Sequence, residues 1–429
     1  MRFYVFLLFI FLLSCGSAQK VKQAINVNDV QRIEATLSDD SMEGRKTFTA
    51  GIDKAAAFIS NEMKQTGLQI SNNANGYLQS FEMIKPEQTN AAVTIGNKTV
   101  NAENIICVAT NTNVSFTDAD NYKVVRIHKG DNFRAVVTPL IGIKENMLVL
   151  IDSSFSWSFK GLQRRKSAVF PQENNQVFVL TDNADATNYS VNIVQQNKLL
   201  KLANIVGLLQ GKTKPNEYVI FSGHYDHLGY SKADSTGDSL YNGANDDASG
   251  VTAMLMVAKY YKALNNNKRS ILFVAFTAEE MGGYGSKYFS EHLNADSVVA
   301  MFNIEMIGTD SKWGLNSAYI TGYEKSDMGK ILEKNLAGSP FTFYPDPYPE
   351  QYLFYRSDNA TLARKGVPAH TISTSKMNNE PHYHKPGDEI KTLDMKNMTE
   401  IIRSIAVSAQ TIINGTDTPT RIEVSELRQ

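Results

Sequence analysis

The sequence predicts an α/β fold with helices on the faces of a central sheet, and three observations carry that prediction. After Lys201, strand-like and helix-like runs alternate, the pattern of strand–helix–strand units. The run Ile271-Leu-Phe-Val-Ala-Phe276 is apolar throughout, as in a strand buried on both faces. Polar, ligand-type side chains collect where such runs end. Tyr218-Val-Ile-Phe221 leads into Gly223-His224-Tyr-Asp226-His227. After a polar loop comes Asn245-Asp246-Asp247-Ala-Ser-Gly250, and a helical pattern, Val251 to Leu264, leads out. In open α/β sheets that edge is where sites are built.

The elements follow in chain order. Arg2 precedes an apolar run, Phe3 to Leu13, that is short for a membrane span and has the layout of a secretory signal. Leu12-Leu13-Ser14-Cys15 resembles a bacterial lipobox. That implies a signal peptide over residues 1–14, a lipid on Cys15 as the only membrane contact, and an exported protein of the cell envelope. An ordinary signal peptide with a chance Cys is the competing reading. Only two Cys occur, so a lipidated Cys15 leaves Cys107 without an intrachain disulfide partner, and stability must come from packing. Residues 15–84 read as a helical N-terminal part of the main domain. Ile25, Val30 and Ile33, then Ala55, Phe58, Ile59 and Met63, recur at helical spacing, and Gly67 is a natural stop. Residues 85–199 switch to short β-branched and aromatic runs between Asn, Gly and Asp turns: Ala92–Ile95, Thr99–Val100, Tyr122–Ile127, Met147–Ile151, Gln176–Leu180 and Ser190–Val194. They read as a β-rich insertion. Residues 200–415 carry the α/β alternation, ending in a helix from about Asp394 to Ile413. The tail, 416–429, is polar and reads as frayed.

The chain has 429 residues, 42% hydrophobic and 20% charged, an ordinary globular composition of two-domain length. A net charge of −1 argues against nucleic acid or an anionic membrane as partner. Chemistry is concentrated at successive strand ends. Ile271–Phe276 ends in Thr277-Ala-Glu279-Glu280, and Val298–Ile304 in Glu305-Met-Ile-Gly. Arg356-Ser-Asp358-Asn359 follows an aromatic, Pro-rich loop, and Pro381-His382-Tyr383-His384-Lys-Pro-Gly-Asp388 precedes the last helix. If the strands are parallel, these carboxylates and imidazoles lie along one edge. They are the donors that hard and borderline metals take. A Glu-Glu pair alone reads as a solvated helix start. This pair gains weight because it closes a wholly apolar strand and is followed by Gly-Gly.

Taken in order, Gly223-His224-Tyr-Asp226, Asn245-Asp246-Asp247-Ala-Ser-Gly250, Ala278-Glu279-Glu280, Asn303-Ile-Glu305-Met and Tyr383-His384-Lys-Pro-Gly-Asp388 resemble the M28 family of zinc peptidases. Glu43-Gly44-Arg45 is similar to the family's N-terminal segment. The resemblance spans Asp39 to about Tyr77 and Leu200 to about Ile413. It implies a zinc-exopeptidase fold with a mixed, mostly parallel central sheet, and a site holding two zinc ions. Asp246 would bridge them, with His224 and Glu305 completing one site and Glu280 and His384 the other. Each ion then has three protein ligands, the open arrangement of a catalytic zinc. Glu279 would be the general base, Asp226 would orient His224, and Tyr383 would hydrogen-bond the oxyanion. Arg356 would hold a substrate carbonyl or carboxylate, or else pair with Asp358. Asp247 would support a ligand or cap the next helix. His227 reads equally as a pocket residue or an exposed one, His382 as a rim residue, and His128, His292 and His370 as structural.

The activity implied is hydrolysis of peptide bonds, with N-terminal amino acids released from peptide substrates. Carboxypeptidase or dipeptidase action on the same site, glutaminyl-cyclase-like acyl transfer on one zinc, and a receptor-like module without chemistry are the alternatives. The sequence departs from the resemblance in three places. Glu305 stands where many members have Asp, and Asn359 where many have His. The insertion occupies the position of the family's protease-associated domain without matching its residues.

Overall fold

The computed structural model describes residues 19–71, 75–140, 143–163 and 168–428. The signal and lipobox residues at 1–15 lie outside the described residues. The chain divides into two units, Met1–Ser80 with Leu202–Gln429, and Phe81–Lys201.

In the first unit the elements are α1 (Val27–Leu37), α2 (Ala50–Thr66), β1 (Tyr189–Leu209, of which the part from Leu202 belongs here), β2 (Lys214–His224), α3 (Ser249–Leu264), β3 (Arg269–Phe276), α4 (Tyr284–Glu291), β4 (Val298–Ile304), β5 (Ser317–Ile320), α5 (Met328–Asn335), β6 (Thr342–Pro345), α6 (Asn359–Ala363), β7 (Ala369–Ser373) and α7 (Met395–Ser408). The strands lie in the order β6-β5-β7-β4-β2-β3-β1. The middle pairs, β7 with β4, β4 with β2 and β2 with β3, are parallel. β3 with β1, and β5 with β7, are antiparallel. This is the mixed, mostly parallel sheet the sequence predicts.

Alternation along the central strands assigns their two faces. Phe221, Phe273, Phe302 and Ile304 turn toward a core shared with α1, α2, α3 and α7. Ile220, Leu272, Val274 and Met301 turn toward a second core, with Phe289 of α4 and Leu362 of α6. β3 is buried along its whole length, which explains its unbroken apolar run. α3 is buried nearly all round, because it lies between the sheet and the outer helices. Gly67 ends α2 in the left-handed conformation, at φ 75°.

The C-terminal tail differs from the frayed segment expected. Ile422 and Leu427 complete the second core, Arg421 donates to the carbonyls of Ala295 and Val298, and Thr420 bonds Asp327. Three aliphatic side chains in a polar stretch are too few for a periodic pattern, yet two of them, Ile422 and Leu427, suffice to dock it.

The second unit contains every strand run expected of it and two helices that were not, Phe133–Leu140 and Ser156–Gln163. Each is only 8 residues long, and one carries Pro139, so no helical period stands out. A mixed four-stranded sheet, in the order 105–108, 176–181, 147–152, 123–127, packs these helices on one face. Its other face packs on strand residues that include Val93, Val114, Phe116 and Val191. Cys107 is buried in this second layer. Among the described residues no helix is long and apolar enough to cross a membrane.

Candidate active site

Parallel strands deliver their C-terminal ends to one edge, and the chemistry arrives there. β2 ends at His224, β3 runs into Glu279 and Glu280, and β4 runs into Glu305. Asp246 comes from the turn before α3, and His384 from the loop before α7. Three residues beside or within the site have left-handed backbone: Ala278 at φ 58°, Met306 at 53° and His384 at 54°. Such conformations are uncommon for residues with a Cβ and cluster where a chain must aim a functional group.

The centre is tightly grouped. His224 Nε2 lies 3.1 Å from Asp246 Oδ1, while His384 Nε2 lies 3.3 Å from Asp246 Oδ2. The two oxygens of Asp246 thus face opposite imidazoles. His384 Nε2 is also 3.2 Å from Glu280 Oε2, and His227 Nδ1 is 2.8 Å from Glu280 Oε1. A cavity beside this group is lined by Asp246, Glu279, Glu305, Arg356, Tyr383 and His384. Tyr383 stacks on His384, with ring centroids 4.0 Å apart.

The supporting contacts explain why the loop residues are what they are. Asp226 accepts hydrogen bonds from the amides of Glu279 at 3.0 Å and Glu280 at 3.3 Å. Its carboxylate therefore sets the backbone of the Glu-Glu pair. Its own carbonyl, at 3.0 Å, partners His224 Nδ1, while the carboxylate stays 3.9 Å away. The expected orienting role on His224 thus passes to the Asp226 main chain. With Nδ1 committed, Nε2 is the nitrogen left to face the centre. Asp247 accepts from the amides of His224, Gly250 and Met306, tying two strand ends to the start of α3. Asp388 accepts from the amides of Asn245 and Asp246, at 2.8 and 3.0 Å.

Arg45 is fully buried and donates to the carbonyls of Leu37, Tyr225, Asn242 and Gly243. A guanidinium offers five donors in a rigid fork, which suits it to holding several carbonyls at once. Gly250 and Gly223 permit close approach: a Cβ on Gly250 would sit 2.1 Å from the Ile304 carbonyl, and one on Gly223 would sit 2.9 Å from Asp247 Oδ2.

Electrostatics divides the acids. Burial opposes charge on Glu280 and Asp246 lies close, but the imidazoles of His227 and His384 hold Glu280 down to about 2. Burial opposes charge on His384, yet Asp246 and Glu280 push it up to about 10. Burial raises Glu279 well above the ordinary carboxyl range, with Glu305 adding to the effect. Burial likewise raises Asp226 to about 6. So many buried acids facing imidazoles form a centre that draws in positive charge.

The donor set fits a zinc ion. His224 Nε2, His227 Nδ1, Asp246 Oδ2 and Glu280 Oε1 are buried and have no hydrogen-bond partner, although nitrogen and oxygen approach each other closely. Their polar atoms do not point at one another in hydrogen-bonding geometry. Buried atoms of this kind need a partner, and imidazole and carboxylate together are zinc donors. His227, Asp246 and Glu280 alone place three donor atoms within 4.8 Å of one another.

The remaining sequence-read residues fall as follows. Arg356 lines the cavity and contacts Gln351 at 3.4 Å; among the described ion pairs none joins it to Asp358. Asn359 is buried away from the cavity, bonding the carbonyls of Phe354 and Ala369 and the Thr371 hydroxyl. Of the two readings of His227, exposure is ruled out, since its side chain is buried against Glu280. His370 bonds Thr321 and Ser326 inside the fold, His292 caps its own helix, and exposed His128 pairs with Asp185. Arg45 and Asp388 were legible only as motif members; their clamping roles depend on which carbonyls and amides fold beside them.

Residues 204–409 match the family model described as Peptidase family M28. A probable zinc metalloprotease of Pyrenophora tritici-repentis is 36% identical over 111 residues, covering 25% of this chain and 25% of that protein. Aminopeptidase YwaD of Bacillus subtilis is 26% identical over 215 residues, covering 46% of this chain and 42% of that one. The chain thus aligns with less than half the length of these curated relatives. Among solved structures, an aminopeptidase from Aneurinibacillus sp. strain AM-1 superposes with a TM-score of 0.55 at 16% identity, covering 95% of this chain and 98% of that one. That likeness shows a shared fold. Residues 204–409, which carry this strand-end centre, are thus a peptidase family M28 domain.

Proposed function

We propose that this protein is a zinc-dependent aminopeptidase with a two-ion site. The observation that carries the reading is the position of Asp246, whose two carboxylate oxygens face His224 on one side and His384 on the other. Asp246 would bridge the ions, His224 and Glu305 would complete one position, and Glu280 and His384 the other. When bound, zinc supplies Lewis-acid polarisation of a scissile carbonyl and makes water more acidic. Glu279 lines the cavity without serving as a ligand, and burial, by raising its pKa, makes its carboxylate a stronger base than an ordinary one. Its carboxylate takes the proton of the attacking water and delivers it to the leaving amine. The Tyr383 hydroxyl donates to the oxyanion, and Arg356 holds a more distant substrate carbonyl. Glu279 and Glu305 make the cavity acidic, which favours a substrate's free ammonium group. The sequence similarity to Aminopeptidase YwaD of Bacillus subtilis supports the same reading.

Arg356 in the same cavity also supports a second reading, in which it grips a substrate carboxylate and the enzyme is a carboxypeptidase. One assay separates them. Aminoacyl peptides, N-blocked peptides and C-amidated peptides are offered to the purified protein with and without a chelator. Aminopeptidase action predicts chelator-sensitive cleavage of free and C-amidated peptides and none of N-blocked ones. Cleavage of N-blocked peptides alone, or indifference to chelator, overturns it. Export with a lipid anchor on Cys15 belongs to the same proposal, and mass analysis of the membrane-extracted protein would detect the lipid.

A further inference from the structure

The reading above gives each zinc three protein ligands and leaves His227 unused. No other imidazole in the centre is more deeply buried. Its side chain has no exposure, and Gly243 is held so close that a Cβ there would meet the ring at 2.5 Å. Neither ring nitrogen has a hydrogen-bond partner. A buried imidazole with both nitrogens unsatisfied is costly, so a partner is required. Nδ1 lies 2.8 Å from Glu280 Oε1 and 3.9 Å from Asp246 Oδ2, without hydrogen-bonding geometry to either. That arrangement belongs to donors converging on a common point.

Distances test the convergence. Two donors on a tetrahedral zinc with bonds of about 2.0–2.1 Å lie about 3.3 Å apart. Around the Glu280 position the donor pairs measure 2.8 Å for His227 with Glu280, 3.2 Å for His384 with Glu280, 3.3 Å for His384 with Asp246 and 3.9 Å for His227 with Asp246. They scatter around that value. The two imidazoles approach different oxygens of Glu280 and stand edge to face, with centroids 5.8 Å apart, so they do not obstruct each other.

We infer that His227 is a metal ligand through Nδ1, giving the ion at Asp246, Glu280 and His384 a fourth protein donor. The inference rests on the two-ion reading. It makes the two positions unequal: one ion is held by four side chains, while the ion at His224 and Glu305 keeps more of its coordination open. Retention and activation of metal are thereby divided between the sites.

The test compares the full chain with His227→Ala and His227→Cys, each checked for folding by circular dichroism. Zinc content is measured by mass spectrometry after dialysis, and affinity by competition with a metallochromic chelator. The wild-type chain is expected to hold two ions. His227→Ala should weaken one of them at least roughly tenfold and leave the other unchanged. In the cobalt-substituted protein, the visible bands of that ion should change. His227→Cys adds a readout that a merely structural role cannot give. Sγ lies near the place of Nδ1, and a metal–sulfur bond is longer, about 2.3 Å, so a thiolate can reach the same ion. A thiolate-to-cobalt charge-transfer band, absent from wild type, should appear. Wild-type affinities and cobalt bands in His227→Ala, with no new band in His227→Cys, overturn the inference. A wild-type stoichiometry of one ion overturns the two-ion reading instead, and the two variants then report on that single ion in the same way.

Discussion

Glu279 and Glu280 are neighbours with opposite electrostatics, and the difference lies in what each side chain meets. Glu280 lies between the imidazoles of His227 and His384 and is held near 2; Glu279 is buried beside other acids and is raised. Pairs of acids pushed apart by their surroundings are how a site divides binding from proton transfer. Glu279→Gln is therefore expected to lower kcat by about 10²–10⁴ while metal content stays at the wild-type level. Loss of metal along with activity would return Glu279 to the ligand set. At this scale the sequence was informative about identity and silent about environment. It placed the Glu pair at a strand end, but Asp226, 53 residues away, sets the pair's backbone and could be assigned that task only by contact.

At the scale of elements, the turn before α3 joins two strand ends to the start of that helix. Asp247 collects amides from β2, from the first turn of α3 and from the end of β4, and Gly250 lets α3 approach β4 closely enough for this. Gly250→Ala would drive a methyl into the Ile304 carbonyl and the Asp247 carboxylate. It is expected to destabilise the fold by at least about 2 kcal/mol, seen as a lower denaturant midpoint, and to weaken metal binding. Unchanged stability would mean that α3 is not seated this close to β4. Strand and helix spans here were legible because their patterns are long: Val298–Ile304 is a strand over the expected residues, and Val251–Leu264 gains only Ser249 and Gly250. The helices of the second unit were not, because 8 residues with a Pro or Gly inside carry little periodicity.

For the molecule as a whole, the first core contains a buried acid beneath the site. Glu34 has no exposure, accepts from Thr252 and neighbours Arg45; burial pushes it up to about 8 from an ordinary 4.5. A carboxyl whose folded pKa is raised contributes fully below about 4.5, and that contribution declines as pH rises to about 8. Glu34→Gln keeps an acceptor for Thr252 and cannot ionise. Relative to wild type it should gain about 1.4 kcal/mol per pH unit across that window, measured by denaturant unfolding at a series of pH values. Parallel curves would show that Glu34 keeps the same charge in both states. What the sequence by itself determined was the fold class, the main strands and the donors waiting at their ends, because apolar periodicity and residue chemistry are local properties. What only the tertiary structure decided was partnership. Arg45 reaches carbonyls up to 201 residues away, Ile422 docks a polar tail, and His227 turns inward to face Glu280. Each of these depends on which distant backbone folds alongside, and a local pattern carries no record of it.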